Sequence, residues 1–248
     1  MKPITDAAPR PLARMAGGLY LVNILAGAFA IGVVPAMLVV AGDASATAFN
    51  VQSHELLYRS SLAAHVIVTV TNVPLAMIFY ELFRVVNRRL AMLNVFFTLV
   101  ATAIESSAVI NQFAPLMLLS GGPFAQGLSP EQTQALAYLP FGLSGIGYDV
   151  SDVFYAFDVL TLGYLIFRST FFPRAIGLLL AIDCVGYLLY SFADMLAPGF
   201  AAHLVPWAQL PILLGEGSLC LWLLIVGLNV ERWRERATRL ATSPAASS

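Results

Sequence analysis

Five carboxylates fall inside long apolar runs of this chain: Glu105, Asp149, Asp152, Asp183 and Glu216. A charged side chain at the centre of a bilayer costs roughly 2.5–3.5 kcal/mol on an insertion scale. Such groups turn away from lipid, and then they pair, take up protons or hold a cation. The chemistry they admit is the handling of a proton, a cation or a small ligand. Three further residues support them. Asn72 sits at a similar depth in its own apolar run, and His65 and Arg59 lie towards one end of that run. Arg59 is the only basic residue on that side, and it is expected to pair with Glu55 or Asp194. Asp158 falls in the opposite half of its run and is left outside the central set.

The runs that carry these residues must be membrane helices. The chain has 248 residues, of which 59% are hydrophobic and 11% charged, with a mean hydropathy of +0.80. A soluble domain carries about 25% charged residues. Six spans are expected: about Met15–Val40, Ser61–Phe83, Leu90–Leu119, Leu136–Phe167, Ala175–Leu196 and Trp207–Leu228. At 1.5 Å per residue, each crosses a hydrocarbon core of about 30 Å. The fold class is therefore all-α, a bundle of six transmembrane helices spanning about 15–230. A short segment, 1–14, precedes it, and a basic and then disordered tail, 231–248, follows.

Twelve of the 13 basic residues fall on one side of this alternation, and only Arg59 does not. They are Lys2, Arg10 and Arg14, then Arg84, Arg88 and Arg89, then Arg168 and Arg174, and finally Arg232, Arg234, Arg236 and Arg239. The positive-inside rule then places both termini in the cytoplasm. The first span is too long for the apolar region of a signal peptide and is expected to remain. The segments about Ala41–Glu55, Ser120–Thr133 and Ala197–Pro206 read as outer loops, and Trp207 and Trp233 as anchors at the membrane interfaces. A net charge of −1 argues against a nucleic-acid surface, and the bilayer is the evident partner. Cys184 and Cys220 fall within spans and read as small apolar residues.

Helical spacing then gathers polarity onto single faces. His65, Thr69, Asn72 and Ala76 share one stripe, and Thr98, Thr102, Glu105, Val109 and Gln112 another. Gly142, Gly145, Asp149, Asp152 and Ala156 share a third. Asp183, Gly186, Tyr190 and Asp194 form a fourth, and Gln209, Glu216 and Cys220 a fifth. Small and polar residues on one face mark helix–helix contact inside membranes, so these stripes are expected to meet in the interior.

Two other chemistries compete with ligand or ion handling. In a structural or sensory subunit, the acids would serve as interhelical glue, bonded to Tyr148, Tyr155, Tyr190 and Asn72. An intramembrane enzyme is less well supported. His65 is the only histidine within a span, and no His-Glu-x-x-His run occurs. Ser106, Ser107 and Ser218 lack a matched base. The run Gly145-Ile146-Gly147-Tyr148-Asp149 spaces its acid one residue late for a Gly-x-Gly-Asp signature. No cofactor is indicated, and no metal set is assigned.

Several stretches carry a family resemblance. The segment from Gly42-Asp43-Ala44 to Asn50-Val51, with Leu57-Tyr58-Arg59, resembles the first outer loop of the domain of unknown function 4386 family. Gly18-Leu19-Tyr20-Leu21, the run from Leu82 to Arg88, the run from Gly163 to Ser169, and Gly215-Glu216-Gly217-Ser218-Leu219 are similar to it as well. The resemblance runs from about Arg14 to Arg232 and implies a six-span fold in a bacterial cytoplasmic (inner) membrane. It implies no activity and no site residues. The six-span reading predicts that a cytoplasm-dependent fluorescent reporter lights up when fused to either end of the chain. A dark fusion at one end only would require an odd number of spans.

Overall fold

A computed structural model describes residues 8–242. Lys2 and the stretch 243–248 of the expected disordered tail lie outside the described residues. The described chain is helical, with no strand among the described residues. That is the outcome lipid imposes, because a helix satisfies its own backbone hydrogen bonds where no water is present.

The helices run in the order α1 (Pro9–Gly27), α2 (Val34–Leu38), α3 (Ala44–Ser53), α4 (Glu55–Phe83), α5 (Arg88–Asn111), α6 (Ala114–Leu119), α7 (Pro130–Arg168), α8 (Arg174–Leu196), α9 (Pro198–Ile225) and α10 (Val230–Thr242). Prolines account for several interruptions. A π-helical segment, Ala28–Val33, joins α1 to α2 just before Pro35. Pro35 gives no N–H to the ladder and its ring crowds the preceding turn, so the helix widens there. The helix also breaks between Asn111 and Ala114, and Pro115 opens α6. In α9 a bend of 48° falls between Val205 and Gln209.

Five helical stretches are long and apolar enough to cross a membrane, and the bent α9 makes a sixth if it counts as one span. Large apolar side chains face outward along them, including Val70, Ile110 and Val185, each more than 60% exposed. A water-soluble monomer does not present apolar surface on that scale, and lipid accepts it.

Several boundaries differ from the sequence reading. The segment read as the first outer loop carries α3, which Asp43 caps by accepting a hydrogen bond from the Ala46 N–H at 2.9 Å. A side-chain cap supports a helix too polar to register as a span. α7 begins at Pro130 rather than near Leu136, and α9 at Pro198 rather than near Trp207. Residues 231–242 of the expected tail lie in α10, where Arg232, Arg236 and Arg239 share one face at helical spacing. Trp233 is not an interface anchor. It is 1% exposed and donates its indole N–H to the Leu82 carbonyl at 2.9 Å. Arg232 and Arg236 donate to the carbonyls of Thr170 and Arg168. Burial, together with Arg168 and Arg239 nearby, lowers the pKa of the Arg236 guanidinium from its ordinary value.

The chain divides into two compact units. The described part of unit 1 comprises 8–21, 72–101 and 152–242, and unit 2 comprises 22–71 and 102–151. Within unit 1, α8 packs on α9 and the rings of Phe83, Phe171 and Phe172 cluster. α7 and α8 meet backbone to backbone. A Cβ on Gly177 would lie 2.5 Å from the Gly163 carbonyl oxygen and 2.8 Å from the Phe167 nitrogen. Unit 2 is built around Val34, Leu38, Val51, Tyr58, Leu62 and Leu116.

The α7–α8 contact yields a direct test. Gly177→Ala inserts a methyl group where no atom fits and should destabilise the protein by about 1–3 kcal/mol. Thermal unfolding in detergent reads that loss, and an unchanged melting temperature would contradict the close approach.

Candidate functional site

The α4 stripe and most of the α5 stripe are buried where helical spacing puts them, whereas Gly142 of the third stripe and Gln209 of the fifth are exposed. His65, Thr69, Asn72 and Ala76 on α4 are each under 9% exposed, as are Thr98, Thr102, Glu105 and Val109 on α5. Asp149 on α7 and Asp183 on α8 are buried too, while Asp152 and Glu216 are half-buried. The nominated acids divide between the units. Glu105 and Asp149 belong to unit 2, and Asp152, Asp183 and Glu216 to unit 1.

In unit 2, His65 Nε2 lies 2.9 Å from Glu105 Oε1, and both side chains are enclosed. The His65 ring stacks on Tyr148, with centroids 5.4 Å apart. The Tyr148 hydroxyl lies 3.4 Å from His65 Nδ1 and accepts from Gln112 Nε2 at 2.8 Å. Tyr58 in turn donates to the Gln112 carbonyl at 2.7 Å. That carbonyl sits at the break between α5 and α6, where a helix leaves its last carbonyls without ladder partners. Arg59 pairs with Glu55 at 2.6 Å, one of the two partners expected for it. Both side chains are about half exposed, so this cation is balanced at the surface.

In unit 1, Asn72 donates to the Tyr155 hydroxyl. Asp158, left outside the central set by its depth, is held by several hydrogen bonds in this unit. It accepts from Asn94 and from the Thr98 hydroxyl at 2.7 Å, and Asn94 also donates to its backbone carbonyl at 2.9 Å. The stripe through Thr98 was the signal that could have found it, because Asn94 precedes Thr98 by one helical turn.

The third cluster is asymmetric. Glu216 Oε1 accepts from the Tyr187 hydroxyl at 2.7 Å, and the Tyr20 hydroxyl also bonds Glu216. Asp183 faces the same helix and interacts electrostatically with Glu216. It is 0% exposed, and neither of its carboxyl oxygens has a hydrogen-bond partner among the described residues. Room for it comes from a missing side chain, since a Cβ on Gly215 would lie 3.1 Å from Asp183 Oδ2. The tyrosines were the harder residues to read. Tyr20 lies on α1, nearly 200 positions from Glu216, and no local spacing couples them.

Among the described residues, no three of His, Cys, Asp and Glu converge as a metal-binding set. A narrow cleft is lined by Thr47, Gln134, Tyr138 and Phe141 among others, and no nominated acid lines it.

Neither a curated protein nor a solved structure matches the chain. The family model described as Domain of unknown function (DUF4386) matches residues 15–227. That range takes in all five acids, their tyrosine and histidine partners, and every helix from α2 to α9. The chain therefore belongs to the DUF4386 family, whose function is unknown.

Proposed function

We propose that this is a six-span membrane protein of the bacterial inner membrane, with both termini cytoplasmic, that handles protons within its helix bundle. Asp183 and Glu216 are its proton-binding pair. The observation that carries this reading is the Asp183 carboxyl group, fully enclosed and with no hydrogen-bond donor among the described residues. An ionised carboxylate in that position has nothing to offset its desolvation. A proton on Asp183 removes the charge. Glu216 then carries the negative charge, held by the Tyr187 and Tyr20 hydroxyls. Two acids on neighbouring helices with unequal hydrogen bonding form a site that gains and loses one proton, the chemistry of a proton-coupled ligand- or ion-handling protein.

The glue reading has its own support at Asp158. Its bonds to Asn94 and Thr98 tie α7 to α5 without calling for a further occupant. It does not account for Asp183, because glue requires a bonded partner.

The test uses protein reconstituted into vesicles that enclose a pH-sensitive dye. Wild type should dissipate an imposed pH gradient, and Asp183→Asn, which keeps the shape of the protonated acid, should do so several-fold more slowly at an unchanged melting temperature. Equal rates would overturn the proposal. A wild-type melting temperature raised by sodium or potassium ions, and not so raised in Asp183→Asn, would replace the proton with a cation. Gly215→Ala should also slow dissipation, because its methyl group crowds Asp183 Oδ2 at 3.1 Å.

A further inference from the structure

A second titratable centre lies in unit 2, on residues that the Asp183–Glu216 reading does not use. We infer that Tyr148, His65 and Glu105 form a directional proton relay, with Tyr148 receiving the proton and Glu105 its terminus. The direction follows from donor bookkeeping. The Gln112 amide donates to the Tyr148 oxygen at 2.8 Å, which leaves the phenol free to give its own hydrogen. His65 Nδ1, at 3.4 Å, is in place to accept it. A neutral ring that accepts at Nδ1 carries its hydrogen at Nε2, and Nε2 lies 2.9 Å from Glu105 Oε1. The donors thus point one way, from Gln112 through Tyr148 and His65 to Glu105.

Enclosure and stacking hold the imidazole in this orientation. The His65 side chain is 1% exposed, and its plane lies 27° from that of Tyr148. Glu105 from α5 and Tyr148 from α7 contact it, while Tyr58 on α4 bonds the Gln112 carbonyl and Asp149, next to Tyr148 in the chain, is buried in the same unit. The Tyr148–His65 contact is the longest link, so it must shorten for transfer to occur.

The proton balance is closed. The phenol proton of Tyr148 passes to His65 Nδ1 as the Nε2 proton passes to Glu105 Oε1, and the phenol regains a proton from the entering donor. One proton enters and one ends on Glu105. The imidazole finishes neutral with its hydrogen on Nδ1, and the negative charge of Glu105 is gone. Reversal restores the starting tautomer. The receiving end sits beside Gln112, at the break between α5 and α6. The relay therefore neutralises an enclosed glutamate without any ion heavier than a proton reaching it.

Nitrogen-15 NMR of histidine-labelled protein in bilayers tests this. The chain has three histidines, and the His65 signals are those lost in His65→Gln. On acidification, wild-type His65 should change from the Nε2-protonated to the Nδ1-protonated neutral ring. Tyr148→Phe keeps the stacked ring and the fold, checked by its melting temperature, and should lose that exchange. Glu105→Gln removes the terminus and should lose it too. A His65 ring protonated on both nitrogens across the whole range would overturn the relay in favour of a fixed ion pair. Tautomer exchange that persists in Tyr148→Phe would overturn it as well. Asp183→Asn should leave the exchange intact, so failure here is distinguishable from failure of the Asp183–Glu216 reading.

Discussion

An acid enclosed among apolar helices must lose its charge or find a partner for it, and four carboxylates of this chain meet that requirement differently. Asp158 finds amide and hydroxyl donors on α5. Glu105 finds an imidazole. Glu216 finds two phenols. Asp183 has no hydrogen-bond donor among the described residues. Leaving a buried polar group unsatisfied costs about 1–3 kcal/mol, and more when it is charged. A proton would remove the charged part of that cost, although both Asp183 oxygens stay without a hydrogen-bond partner among the described residues. The Cβ-free position at Gly215 is part of the same arrangement, because a Cβ there would crowd the Asp183 carboxyl at 3.1 Å.

Much of this was legible in the residues because two periodicities act together. Hydrophobic run length located helices long and apolar enough to cross a membrane, and the i, i+3, i+4 spacing located the buried faces of α4 and α5. The α4 stripe of His65, Thr69, Asn72 and Ala76 is buried as that spacing requires. The link from His65 to Glu105 crosses helices, however, and only the fold could reveal it. The same holds for Tyr20 and Tyr187 converging on Glu216. Depth along a span did not foretell the hydrogen bonding of Asp158, since distance from the span centre says nothing about which donors a neighbouring helix supplies.

The features that escaped the sequence reading share a physical cause. α3 and α10 are held by capping and by tertiary contacts rather than by a long apolar run. Asp43 caps α3. In α10, Trp233 and Ala237 are buried while arginines bond the carbonyls of Arg168, at the end of α7, and Thr170, just after it. A basic cluster beside a membrane span reads first as a topology signal, and the same arginines here also serve as hydrogen-bond donors to backbone. The proline-linked π-helical segment before α2 and the break before α6 are likewise local, and a hydropathy window averages over them.

The central claim is that Asp183 carries a proton inside the folded bundle. Infrared spectroscopy of the protein in bilayers tests it most directly. The account predicts a carboxylic C=O band at high frequency, as expected of a carbonyl with no donor, that shifts in heavy water and vanishes in Asp183→Asn. A spectrum in which Asp183→Asn removes only ionised carboxylate absorption, and no C=O band, would contradict it.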